Sequence, residues 1–180
     1  MPVVHLFQLH LVLGYVAWLL CFRVYMWPKL RSMDAFDAQR AIATLHSFRF
    51  FGLVFLVPGV VSPDLPASFS VFAAYGDFAT GVLAMLALLV ALLLPRQRPL
   101  FWLFVVAYNV VGIVDLLVDY YDAIAADVPA HAGQFAATYA IPVIYVPLLM
   151  ITHVAAFYLL LRPQLKTAWR RATPGPTSSF

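Results

Sequence analysis

The chain has 180 residues, 64% hydrophobic and only 11% charged, with a formal net charge of +3 and a mean hydropathy of +0.90. A soluble domain carries about 25% charged residues. These figures exclude an ordinary soluble fold and point to an integral membrane protein. Nucleic-acid binding has no support either, because the basic residues are accounted for by membrane topology. The single cysteine, Cys21, lies in an apolar run and reads as a small hydrophobe.

Five segments are long and apolar enough to span, which predicts an all-α, polytopic five-helix bundle. The first runs from Val3 to Met26 and ends at "WPKLR". It lacks a positive n-region, so it reads as a retained helix and not a signal peptide. The second begins within "DAQRAIATLHSF" and ends near Val61, with Asp34 and Asp37 in an amphipathic lead-in. The third runs from Ser68 to Leu94, the fourth from Leu100 to Tyr121 and the fifth from Thr138 to Leu161. Pro142 and Pro147 are expected to kink the fifth helix and free backbone carbonyls. Residues 1–171 form one transmembrane domain on this reading, and residues 172–180 a disordered cytoplasmic tail.

The basic residues set the orientation. Arg23, Lys29, Arg31, Arg40 and Arg49 lie around the first loop, Arg96 and Arg98 in the third, and Arg162, Lys166, Arg170 and Arg171 after the last helix. The other two loops, "VSPDLPA" and "DAIAADVPAHAGQ", have none. The positive-inside rule then puts the N-terminus outside and the C-terminus in the cytoplasm of a multi-pass cell-membrane protein. The basic tail also suits contact with anionic membrane lipids.

Eight aspartates and no glutamate carry the acidic side. At about 1.5 Å per residue, His10, Asp77 and Asp115 fall about 8–12 Å below the outer boundary, near Tyr75, Tyr108 and Tyr139. On the same scale His46, Arg49 and His153 fall about 20–24 Å down, with Thr152. Two polar layers are expected, an outer and an inner, with His10, Tyr108, Tyr139, Asp77, Asp115, His46, Arg49 and His153 as candidate ligand-binding residues. Charge inside a bilayer costs about 2.5–3.5 kcal/mol on insertion scales, so these groups should face the bundle interior. Arg49 has a second reading, in which it snorkels to the cytoplasmic headgroups. Asp119 and Asp122 read as interfacial and solvated, and Asn109 as an interhelical hydrogen bond.

No metal motif is present. A facial triad of His10, Asp77 and Asp115, or haem held by His46 and His153, is conceivable only if the helices bring those groups together. Asp77 and Asp115 are the candidate catalytic residues, because a buried carboxylic acid can move protons or protonate a lipid. Three functions stay open. One is an accessory bundle that binds a small hydrophobic molecule or a partner membrane subunit. The second is an enzyme acting on a lipid, isoprenoid or quinone. The third is a proton-coupled transporter of a small molecule.

The stretch "FRFFGLVFLVPGVVSPDLPASFSVFAAYGDFATGVLAMLALLVALL" resembles the first hairpin of DoxX-like membrane proteins. Its matching positions are Arg49, Gly52, Gly59, Gly76 and Asp77, over about 45 residues. That family usually has four helices and a glutamate where Asp77 stands, so this chain would add a helix in front. The resemblance implies a compact bundle and an accessory or redox-related role.

Overall fold

The computed structural model describes residues 2–172, with side chains placed through Arg162. The expected tail from Thr173 onward, and the side chains of Lys166, Arg170 and Arg171, lie outside the described residues.

Every regular element described is helical. Helix α1 spans Val3–Cys21 and continues through a π-helical turn, Phe22–Met26, into α2, Trp27–Ser32. Helix α3 spans Ala35–His46 and passes directly into a 3-10 segment, Ser47–Leu56. Then come α4, Ala67–Leu93, and α5, Arg98–Ala125. A second 3-10 stretch, Val128–Tyr139, leads to a π-helical turn, Ile141–Tyr145, and to α6, Val146–Ala172. Among the described residues four helical stretches are long and apolar enough to cross a membrane: Val3–Ser32, Ala67–Leu93, Arg98–Ala125 and Ile141–Arg162.

The expected second spanning helix takes a different form. Asp34 caps α3 by accepting the backbone N–H of Asp37 at 2.9 Å. The α-helix then ends at His46, and the backbone tightens for ten residues. A 3-10 helix has three residues per turn, so positions three apart eclipse. The buried residues follow that period: His46, Arg49, Gly52 and Phe55. The neighbours Phe48, Phe50 and Phe51 are exposed. A straight row of inward groups explains the choice of helix, because α pitch would wind the same four residues around the axis.

This segment runs along the bundle. At its start, Arg98 lies over the Phe36 ring at 4.6 Å, and Phe36 packs on Phe101. Beyond its end, the Ser62 N–H donates to the Gln134 carbonyl at 2.8 Å. It therefore joins the α4–α5 turn at one end of the bundle to the second 3-10 stretch at the other.

Small residues set how closely the helices approach. Ala73, Ala74, Gly81, Ala84 and Ala87 are buried on α4. Helix α1 lies at the side of the bundle, with few of its residues buried. It docks on backbone. Pro147 has no N–H, which leaves the Val143 carbonyl without its helical donor; that carbonyl sits against Gly14. Trp18 Nε1 donates to the Ile144 carbonyl at 2.8 Å. The prolines thus expose carbonyls as expected, and α1 uses them. The last long apolar stretch is Ile141–Arg162, and Ala136 (φ 48°) marks the break just before the expected start at Thr138.

Candidate functional site

Arg49 is the largest fully buried side chain, with 0% of its surface exposed. Its Nε donates to Asp77 Oδ1 at 2.6 Å, and its Nη2 donates to Asp115 Oδ2. Its Nη1 donates at 3.2 Å to the Gly112 carbonyl and at 3.2 Å to His153 Nε2. All three guanidinium nitrogens are engaged. The snorkelling alternative is therefore overturned, and Arg49 is not a charge that marks the cytoplasmic end.

The two expected polar layers are one. Asp77 and Asp115, 5% and 3% exposed, meet Arg49 directly, and His153 bonds the same guanidinium. The depth count fails at the helix ends. The 3-10 segment stops at Leu56, seven residues beyond Arg49, which is about 14 Å at 2.0 Å per residue. Asp77 lies ten residues into α4 and Asp115 ten residues from the end of α5, about 15 Å each. The three groups share a depth once the observed ends are used.

Glycines make the room. A Cβ on Gly52 would collide with Asp77, one on Gly76 with Asp115, and one on Gly112 with His153 and Arg49. Each glycine faces a polar side chain from a neighbouring element, so the charged cluster needs all three elements in close approach.

The hydrogen bonds fix the histidine tautomers. Asn109 Nδ2 donates to the Val105 carbonyl at 2.8 Å, so its Oδ1 accepts from His153 Nδ1 at 2.9 Å. His153 then carries its proton on Nδ1 and offers Nε2 to Arg49. Asn109 is the expected interhelical bond, and through His153 it also orients the cluster. Thr152 Oγ1 donates to the Leu148 and Leu149 carbonyls and accepts from His46 Nε2 at 3.1 Å. His46 Nδ1 and the Tyr108 hydroxyl are buried with no partner among the described residues.

The haem reading fails on this geometry. The His46 and His153 rings lie 4.0 Å apart, centroid to centroid, with their Nε2 atoms on Thr152 and Arg49. Two rings in contact leave no space for a porphyrin between them. The facial triad fails as well. His10 is exposed and bonds Tyr139 at 2.9 Å, at the junction of α1 and the second 3-10 stretch. Tyr75 is also exposed. Among the described residues no three metal-ligating side chains converge.

A cavity of about 260 Å³ adjoins the cluster. Phe7 and Leu11 of α1, Phe55 of the 3-10 row, Phe69 and Ala73 of α4, and Ile141 form much of its wall. Its charged lining is Asp77 and Asp119, with Gln8 and Tyr120 as the other polar side chains. Asp119 is thus not simply solvated. One of its oxygens, Oδ1, is buried without a partner among the described residues. Its place four residues after Asp115, one turn along α5, was the signal available in the sequence. Gln39, which donates to the Ala156 carbonyl at 2.9 Å, is a further buried polar group that composition alone did not single out.

No curated protein and no solved structure matches the chain. The family model of a domain of unknown function, DUF8737, matches residues 6–161, a stretch that includes Arg49, its partners and the cavity wall. The chain belongs to the DUF8737 family.

Proposed function

We propose that the protein is a non-catalytic, multi-pass cell-membrane bundle that binds a small hydrophobic ligand. The observation that carries this reading is the apolar cavity of about 260 Å³ with carboxylates at its wall. Ligand sites are mostly apolar concavities with a few placed polar groups, and this cavity has that character. Arg49 works against the lipid-enzyme reading, because it holds an oxygen of each carboxylate that would act as acid or base.

The segment Ala35–Leu56 is the fifth crossing on this reading. Twelve α and ten 3-10 residues reach about 38 Å, against a hydrocarbon core of about 30 Å. The N-terminus is outside and the C-terminus cytoplasmic. With Arg49 set aside, the other basic residues still support that orientation. The accessory role implied by the DoxX-like hairpin fits a bundle whose polar residues are engaged with one another.

The test is binding of a neutral apolar cage, 1-adamantanol, to the full chain in phosphatidylcholine nanodiscs, with empty discs subtracted. Saturable binding is expected, and Ala123→Phe, which fills the cavity wall, should abolish it. Binding that is absent, or indifferent to that substitution, would remove the proposal.

A further inference from the structure

We propose that the ligand of this cavity is a compact hydrophobic cation, an ammonium on an apolar body, whose head sits at Asp119 and Asp77. The inference rests on the cavity reading above and names its substrate class.

The first argument is what the wall lacks. No lysine or arginine lines the cavity. Arg49 is fully buried and does not reach it, with each nitrogen already committed to Asp77, Asp115, Gly112 or His153. The Tyr120 hydroxyl is bonded to the Tyr15 hydroxyl at 2.6 Å. The exposed Gln8 is the other neutral polar group in the lining. What remains toward the cavity is mostly acceptor, the carboxylates of Asp77 and Asp119. A ligand that accepts hydrogen bonds, or an anion, finds little there. A cationic donor finds two carboxylates.

The second argument is charge. Asp77 and Asp115 share one guanidinium, Asp119 follows Asp115 by one turn of α5, and Asp122 comes three residues later. Carboxylates in excess of cations in a low-dielectric site must be neutralised, by protons or by a cation from outside. An ammonium held at Asp119 supplies the missing charge.

The third argument is the wall itself. Phe7, Phe55, Phe69 and Tyr120 bring aromatic rings to the same space as the carboxylates. Aromatic faces attract desolvated cations, and rings with a carboxylate are a recurring cation-binding combination. At about 260 Å³ the cavity is small among ligand sites, which favours a compact body over a long chain.

Three probes with the same cage test this: 1-adamantylamine, 1-adamantanol and 1-adamantanecarboxylate, each titrated onto the full chain in phosphatidylcholine nanodiscs. The amine should bind at least about tenfold more tightly than the alcohol, as a charge-assisted bond requires. The carboxylate should bind more weakly than either. Asp119→Asn should erase the preference for the amine over the alcohol, while Asp119→Glu should retain the preference. Amine and alcohol binding alike, or a preference that survives Asp119→Asn, would overturn the cation inference and leave the cavity reading standing. Failure of every probe would overturn both.

Discussion

Gly112→Ala tests the central cluster most directly. Alanine in place of glycine inside a helix ordinarily stabilises it by about 1 kcal/mol. Here the added methyl would lie 2.5 Å from His153 Nε2 and 2.6 Å from Arg49 Nη1. Both atoms belong to a network buried on every side, so neither has open space to enter. Overpacking of this kind costs about 1–3 kcal/mol. Displacing Nη1 also weakens two charge-assisted bonds, to the Gly112 carbonyl and to His153, at about 1.5–3 kcal/mol each when fully lost. With partial relaxation, the net destabilisation should be about 2–4 kcal/mol, the reverse of the propensity effect. The assay is reversible unfolding in mixed micelles, followed by circular dichroism. Gly133→Ala is the control, because a Cβ there meets nothing within 4 Å. A Gly112→Ala protein as stable as the wild type would show that α5 and the 3-10 segment can separate freely, and the reasoning about close approach would fail.

Arg49→Met should cost about 3–5 kcal/mol in the same assay, because it strands two buried carboxylates. Adding Asp77→Asn and Asp115→Asn should recover much of that loss, and no recovery would argue against a charge origin. Nitrogen-15 NMR of labelled protein should find the His153 proton on Nδ1; a proton on Nε2 would contradict the bond to Arg49. Trp18→Phe should weaken the docking of α1 by about 0.5–1.5 kcal/mol, seen as faster amide exchange in α1 with the rest of the bundle unchanged.

Much of the fold was legible from hydropathy, since four of the five apolar runs are the long apolar helices of the structure. The prolines at 142 and 147 also announced the irregular start of the last helix. The polar groups were found as a set: Asp77, Asp115, His46, Arg49 and His153 all lie in or beside the cluster. Their mutual placement was not legible. A depth scale assumes one rise per residue and known helix ends, and the segment at Ser47–Leu56 breaks both assumptions. The three-residue spacing of His46, Arg49, Gly52 and Phe55 was available, but it becomes meaningful only once a 3-10 helix is entertained. His10 and Tyr139 were grouped with the aspartates by depth alone, and depth carries no information about azimuth. Asp119 was assigned to solvent because it lies near a helix end, whereas α1 and the second 3-10 stretch close over that end.

The 3-10 row places Arg49 and Phe55 on one mechanical part. Returning these ten residues to α pitch would shorten the segment by about 5 Å and turn each third residue back by about 60°. Relative to His46, Arg49 would swing away from the gap between its two carboxylates, and Phe55 would finish about half a turn from its present direction. Phe55 is part of the cavity wall. The ion pairs of Arg49 thus anchor one point of a row whose pitch sets where Phe55 stands in the chamber wall.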